Sequence, residues 1–423
     1  RFLLGEILPL MEDVRARLAA LPEVERVEIA GSLRRRKETV GDADLLAISR
    51  RPERVMEVFV SLPEVEHVYE KGETRSRVKF RNGLDVDLRV VPRESFGAAL
   101  QYFTGSKEHN IALRRIAERM GLKLNEYGLF RGERRIAGRT EEEVYEALGL
   151  AYIPPELRED RGEIEAAREG RLPRLIEYGD LRGDLQVQTN WTDGANSIEE
   201  MAREAKRLGL QYIAITDHTR SLAMTRGSDE AKLLEQIAEI RRLNRTLTGI
   251  RLLTGAEVNI RKDGTLDIRD DVLAQLDVVG IAVHSHFNMS RQEMTERIAR
   301  AMRNPHADIL FHPTGRVLLK REPYDVDIDE IIRVARETGT ILEIDAYPER
   351  LDLKDEHIRK AVEAGVKLVI DSDAHHVGHF RVLHYGIAQA RRGWARREDI
   401  LNTLPCEEFL AHLKDGRKRR RRA

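Results

Sequence analysis

Residues 30–46 read AGSLRRRKETVGDADLL. A Gly31–Ser32 pair is followed, after nine residues, by Asp42-Ala43-Asp44. On a strand, residues i and i+2 point to the same face, roughly 6.5–7 Å apart. Two carboxylates so placed repel each other unless a cation lies between them. Mg2+ or Mn2+ suits that position, because carboxylate oxygens are the hard ligands these ions prefer. Residues 76–91, SRVKFRNGLDVDLRVV, read as a hairpin turning at Asn82-Gly83, and place Asp85 and Asp87 on one face. Three carboxylates on neighbouring strands can hold two ions roughly 3.5–4 Å apart, an arrangement suited to phosphoryl transfer. Gly31–Ser32 and Thr104-Gly105-Ser106 offer bare backbone N–H groups beside hydroxyls, which suit phosphate oxygens. Arg34, Arg35, Arg36 and Lys37 add positive charge close by.

The chain has 423 residues, which predicts two or three domains. Its 72 basic and 73 acidic side chains nearly cancel, so no global field announces a nucleic-acid partner, although local patches can hide in a balanced total. A single cysteine, Cys406, excludes a disulfide framework and fits a reducing compartment, so a cytoplasmic location is expected. No apolar run approaches the roughly 20 residues that span a bilayer, and no membrane partner is expected. The first residue is Arg, which reads as a trimmed start. Six consecutive basic residues, Arg417–Arg422, read as a solvated end, with an accessory phosphate contact as the sharper alternative.

Residues 1–93 mix helix and strand. LGEILPLMEDVRARLAAL has helical spacing of apolar positions, while RVEIA and DADLLAI read as strands. Residues 94–150 are mainly helical around a short KLNEYGLFR strand segment, and 151–180 read as a charged, proline-containing linker. From 181 the pattern changes. QYIAIT, IRLLTGAEV, LDVVGIAV, ADILF, TILEID and VKLVID alternate with helices such as SIEEMAREAKRLG, which opens on a Ser197–Glu200 capping box and stops at Gly209. Near-continuous apolar strands alternating with helices predict a parallel sheet buried on both faces, open or closed into a barrel.

The first half resembles the palm and thumb of family X DNA polymerases, the polymerase beta-like group. The stretches that carry the resemblance are AGSLRRRKETVGDADLL, VDLRVVP, FGAALQYFTGSKEHNIALR and LNEYGLF. It implies a nucleotidyltransferase palm with a mixed sheet over 1–93 and a small thumb over 94–150. It also implies that Asp42, Asp44 and Asp87 are the metal-binding catalytic triad, served by Mg2+ or Mn2+. Ser32, Arg35 and Gly41 would hold the incoming triphosphate. Tyr102, Phe103 and Gly105 would line the edge that tests the sugar. Asn110 would meet the nascent base pair, and Arg114 the template strand. Glu126 and Tyr127 fall at a thumb position near the site, and Asp85 is not expected to be required. The family's N-terminal helix-hairpin-helix and fingers region has no counterpart ahead of this palm. The expectation drawn is no deoxyribose-phosphate lyase activity and weak, salt-sensitive DNA binding.

In the second half nearly every apolar strand ends in a candidate ligand: Asp217-His218, Glu257, His284 and His286, His312, then Asp373, His375, His376 and His379. The C-terminal strand ends of such sheets are where sites gather. A His, Asp and Glu mixture suits Zn2+ or Mn2+ better than a thiolate-bound ion. The motifs ITDH, GAEVNI, AVHSHF, FHPTGR and DSDAHH resemble a PHP domain, a distorted (β/α) barrel with three metals, over 181–423 with the basic tail. Palm, thumb, then PHP is the order of the bacterial family X polymerases, so the whole reads as an α/β and α+β multidomain chain. By motif, the ligands would be Asp193, His218, Glu257, His284, His312, Asp373 and His375.

That family's first motif is His-x-His, and here Gln186 and Gln188 stand in those positions. An amide oxygen is a poor ligand for zinc, so one of the three ions is expected to be weak or missing. Two origins fit: decay of a hydrolytic site, or substitution to spare DNA. The function the resemblance implies is gap-filling DNA repair synthesis on gapped or primer-template DNA from deoxynucleoside triphosphates, by a monomer. An associated 3′–5′ exonuclease would be impaired at Gln186 and Gln188. The alternatives are a PHP-type DNA phosphoesterase whose palm mainly positions DNA, and a non-enzymatic DNA-binding scaffold, against which the intact carboxylates argue.

Overall fold

The computed structural model describes residues 1–220 and 223–414, and the basic tail of 417–422 lies outside them. The chain divides into two compact units, Arg1–Pro173 and Arg174–Ala423. No helix among the described residues is long and apolar enough to cross a membrane.

The first unit is built on a five-stranded sheet in the order Val24–Ala30, Asp42–Ser49, Asp85–Val90, Arg75–Phe80, Val65–Lys71. The sheet is mixed. Asp42–Ser49 and Asp85–Val90 run parallel, with Asp42 opposite Asp85 and Asp44 opposite Asp87, and the other pairs are antiparallel. Alternation sets which groups face inward. Val86, Leu88 and Val90 are buried, which turns Asp85, Asp87 and Arg89 to the opposite face. The hairpin turns as its sequence predicts, with Gly83 at φ +92° and its N–H donating to the Phe80 carbonyl at 2.9 Å. Helices Leu4–Ala19 and Pro52–Val60 bury Leu4, Ile7, Met11, Val55 and Phe59 beneath the sheet. Helices Phe96–Thr104 and Lys107–Arg119 follow. The second starts at Ser106, whose hydroxyl accepts from the His109 N–H at 3.2 Å. A small antiparallel sheet, Lys123–Asn125, Gly128–Arg131 and Arg134–Ala137, precedes helix Glu141–Ala147. Residues 151–173 carry two short helices, Pro155–Leu157 and Glu163–Glu169.

The second unit holds seven parallel strands in chain order: Gly183–Val187, Tyr212–Ile215, Arg251–Asn259, Val278–Ala282, Ile309–Leu310, Ile341–Asp345 and Leu368–Asp371. First and last meet: the Gln188 N–H donates to the Ala374 carbonyl at 2.8 Å and the Ala374 N–H to the Gln186 carbonyl at 3.3 Å. The sheet thereby curls into a nearly closed, distorted barrel with helices between strands, as the alternation predicts. The capping box at Ser197 and Glu200 opens helix Ile198–Arg207. One end of the barrel is plugged by apolar side chains. Leu185, Tyr212, Leu253 and Val278 pack with Phe409 and Leu413 of the C-terminal segment. Burying Phe409 there contributes about 1.5–3 kcal/mol. The opposite end, where the strands finish, collects the polar side chains.

Candidate functional site

In the first unit, register brings together what the sequence spaces apart. Asp42 and Asp44 project from one strand and Asp87 from its parallel neighbour, opposite Asp44. Asp44 is largely buried while Asp42 is exposed. Burial, then the charges of Asp42 and Asp87, push the Asp44 carboxyl up to about 7. Cations answer from the sheet. Arg75, Arg77 and Arg89 approach Asp87 at 3.4, 3.5 and 3.6 Å. Gly31 sits at φ +67°, and a Cβ there would stand 2.7 Å from an Asp44 carboxylate oxygen, so only glycine lets the turn lie this close. Asp85 accepts from the Tyr69 hydroxyl at 2.9 Å, outside the trio.

Two turns face this site from neighbouring elements. Arg35 donates to the Thr104 carbonyl at 2.6 Å and pairs with Glu159 at 3.2 Å. Gly105 follows at φ +71°. Arg34 reaches the Thr104 hydroxyl at 2.9 Å and grips Glu141 with two bonds of 2.8 and 2.7 Å. Buried Arg158 takes the same carboxylate at 2.5 Å, and its backbone carbonyl accepts from the Ser106 N–H at 2.9 Å. Burial opposes the charge of Glu141, yet Arg158 and Arg34 hold its carboxyl down at about 2. The sequence reading missed Glu141. Its partners span residues 34 to 158, and no local spacing signals them. Asn110 donates to the Tyr102 carbonyl at 2.7 Å, and Phe103 lies beneath the Arg89 guanidinium at 4.2 Å. Ser32 and Arg114 are half-buried, Gly41 is exposed, and Tyr127 is 58% exposed.

In the barrel, Glu257 is the centre, fully enclosed. Its Oε2 faces His284 Nε2 in a short contact, His218 Nδ1 at 3.4 Å and His312 Nε2 at 3.5 Å. Its Oε1 accepts from the amides of Gln186 at 2.6 Å and Gln188 at 3.0 Å. Burial alone would raise this carboxyl, but His218 and His284 beside it hold it well below the usual range. Burial holds His284 down. The second nitrogen of His284 is fixed by Asn259.

Three groups of side chains converge closely enough to share an ion: Asp193, His218 and His375; His218, Glu257 and His284; His312, Asp345 and Asp373. The seven ligands carried over by motif all fall within these groups. Asp345 joins them unforeseen. A signal was available, because Glu343-Ile344-Asp345 is a strand end with carboxylates two apart, like Asp42-x-Asp44. Burial, then Asp373, raise Asp345. His375 meets Asp193 at 3.4 Å and its other nitrogen meets the Asp373 carbonyl at 2.7 Å. Burial opposes its charge, but Asp193 and Asp373 carry it up to about 10.

The less secure histidines separate. His379 accepts the His375 N–H at 3.0 Å and so positions that residue, while His286 and His376 are exposed and in none of the three groups. Asp217 is spent elsewhere. It accepts from the Thr189 N–H and hydroxyl at 2.7 Å each, from Thr192 at 2.6 Å and from Gln236 at 2.7 Å, which pins the turn that carries Asp193.

The palm trio fits a divalent ion, because register places Asp44 opposite Asp87 with Asp42 on the same strand, and burial with those two charges raises the Asp44 carboxyl. The barrel fits in part. The Asp193 and Asp345 groups present hard oxygens with imidazole, but the Oε1 side of Glu257 is already filled by two neutral N–H donors. The Gln186 and Gln188 amide oxygens have no hydrogen-bond partner among the described residues.

Comparison with known proteins adds to this geometry. Residues 99–159 match the family model described as DNA polymerase beta thumb, and residues 184–409 match the PHP domain. The "DNA polymerase/3′-5′ exonuclease PolX" of Bacillus subtilis (strain 168) is 40% identical over 419 residues, covering 98% of this chain and 73% of that protein. A "Probable phosphatase" of Thermoanaerobacter sp. (strain X514) is 32% identical over 237 residues, which is 53% of this chain and 90% of that one. Among solved structures, the Leishmania infantum polymerase beta ternary P/T complex matches with TM-score 0.34 and 25% identity, over 37% of this chain and 76% of that one.

Proposed function

This chain belongs to the PHP domain family and to the family of the Bacillus subtilis DNA polymerase/3′-5′ exonuclease PolX, and from that premise we propose that it is a gap-filling DNA polymerase whose barrel trims DNA 3′ ends only weakly. The observation that carries the reading is the register placing Asp44 opposite Asp87, with Asp42 on the same strand face. It supports nucleotidyl transfer at a site of three clustered carboxylates.

In this reading Asp42, Asp44 and Asp87 hold Mg2+ or Mn2+. The ions supply charge neutralisation where negative charge gathers on the reacting phosphate. The chain does the rest. The primer 3′ hydroxyl gives up its proton to solvent as its oxygen bonds to the α-phosphorus, the bond from that phosphorus to the bridging oxygen breaks, and pyrophosphate leaves. Ser32, Arg35 and Gly41 orient the triphosphate. Tyr102, Phe103 and Gly105 line the sugar edge, Asn110 meets the base pair, and Arg114 the template. Residues 1–93 act as palm and 94–150 as thumb, and 151–180 connect them to the barrel of 181–423. The partners are gapped or primer-template DNA and deoxynucleoside triphosphates, in the cytoplasm, with the chain acting as a monomer.

In the barrel, Asp193, His218, Glu257, His284, His312, Asp345, Asp373 and His375 would hold Zn2+ or Mn2+, which when bound would supply Lewis acidity for phosphodiester hydrolysis. The Gln186 and Gln188 amides occupy the Glu257 oxygen that a further ion would need, and this supports impaired hydrolysis. The reading in which 3′-end hydrolysis is the main activity and the palm only positions DNA is weakened by the same two contacts.

The test is a labelled primer on gapped DNA with Mn2+, with and without deoxynucleotides. Extension is expected to disappear in Asp42→Ala alone, and residual shortening in Asp373→Ala alone. Extension that survives Asp42→Ala would show the reading to be wrong.

A further inference from the structure

Residues that follow Glu257, His284 and His312 in the chain line an open cavity of about 940 Å³. Nothing in the proposed chemistry uses it, and its volume falls in the range of small-molecule sites. One wall is a prebuilt stack. The Phe287 and Tyr324 rings lie parallel within 7°, centroids 6.2 Å apart, and the Arg321 guanidinium carbon sits 4.5 Å from the Phe287 centroid. Arg321 is pinned there, since Nε and Nη2 both donate to the Gly315 carbonyl, at 3.1 and 2.7 Å.

The stack is tied to a metal-group residue. The Tyr324 hydroxyl donates to the Pro313 carbonyl at 2.7 Å, next to His312, and the Tyr324 N–H to the Thr314 carbonyl at 3.1 Å. Gly315, at φ +65°, closes this joint, since a Cβ there would stand 2.3 Å from the Tyr324 ring. Arg321 is exposed although both aromatic rings behind it are at least half-buried. Lys262, which also lines the cavity, is exposed and has no hydrogen-bond or ion-pair partner among the described residues. Glu322 and Asp325 line it as well and are exposed.

A planar cation fixed over an aromatic ring is a platform for a π-face, and guanidinium planes stack nucleobases without regard to sequence. Charge sets the direction. The Glu322 and Asp325 carboxylates, close to Arg321 in the chain, repel a phosphate, whereas the unpaired Lys262 ammonium attracts one. We propose that this cavity is a nucleotide subsite for the DNA strand entering the barrel, with a base stacked on Arg321 and its phosphate toward Lys262. The inference rests on the reading that the barrel acts on DNA ends, and it deepens that reading by naming where the end is held.

The experiment uses the full chain and a short single-stranded oligonucleotide ending in 3′ 4-thiothymidine, crosslinked by light and mapped by mass spectrometry. Crosslinks are expected within 284–291 or 313–326, besides any in residues 1–173. Arg321→Ala should lower the barrel yield roughly tenfold, in the range of losing one stacked base. Arg321→Lys should not restore it, because it keeps the charge and loses the plane. Lys262→Ala should lessen the salt dependence of the barrel crosslink by about one phosphate contact. Crosslinks confined to 1–173, an unchanged yield in Arg321→Ala, or full rescue by lysine would each overturn the subsite and leave the polymerase reading standing. No crosslink in either unit would overturn both.

Discussion

Asp44 and Glu257 pose the same physical problem in two different units. Each is a carboxylate taken largely out of water beside other titratable groups. Asp44 has carboxylates for near neighbours, and its proton affinity rises until it titrates at about 7. Glu257 has imidazoles on one oxygen and two amides on the other, and it stays ionised. One site still needs a cation; the other has most of its demand met by the protein. The difference teaches that ligand-like residue types do not by themselves make a metal centre. What counts is whether the surrounding donors leave the charge uncompensated.

The comparison breaks first at Asp44. Asp44→Asn keeps the shape and removes the charge, so primer extension should fall roughly a thousandfold or more, in the range of losing a principal electrostatic group. Shortening of the same primer without nucleotides should not change. Equal loss of both activities would mean the two sites are not separable.

Glu141 comes next, because it holds the two turns beside the trio. Glu141→Ala strands the Arg34 and Arg158 cations, and Arg158 is fully buried. Removing one partner of such a network costs about 3–5 kcal/mol. Hydrogen exchange across residues 24–49 should show the loss in the first unit, and strands 183–187 and 212–215 should keep their protection.

The barrel side is sharpened by restoring imidazole. Gln186→His with Gln188→His should add one tightly held ion per chain by elemental analysis. It should raise 3′-end shortening by roughly 10–100-fold, the scale of ligand-shell effects. Unchanged metal content would mean that Glu257 was never short of a partner ion.

The smallest effect is a slope. Without divalent ions, a raised folded-state pKa means the native chain binds more protons than the unfolded one between about pH 4 and about pH 7. Stability should therefore fall as pH rises through that window, by at most about 1.4 kcal/mol per unit. Asp44→Asn should flatten the slope, read by chemical denaturation in chelator, and Mg2+ should flatten it in the unsubstituted chain.

The palm was legible because its site is local. Asp42 and Asp44 share a strand, and the Asn82-Gly83 turn fixes how Asp87 returns beside them. Barrel strands were legible from their apolar runs, and their ligands from a polar residue at each end. What the sequence could not rank was which ends point at one another. Asp217 and His218 are adjacent in the chain, yet one is bound up by Thr189, Thr192 and Gln236 while the other reaches Glu257. Asp345 closes a strand that also carries Glu343, a signal that was there to be read, whereas Glu141 met its arginines only through tertiary packing.

The two amides on Glu257 have a consequence for assembly. Their hydrogen bonds, at 2.6 and 3.0 Å, come from the chain itself and need no zinc or manganese to form. A barrel whose central carboxylate is answered from within its own first strand can close before any ion arrives. Folding of this unit is thereby expected to tolerate chelator, which thermal unfolding with and without Zn2+ would check.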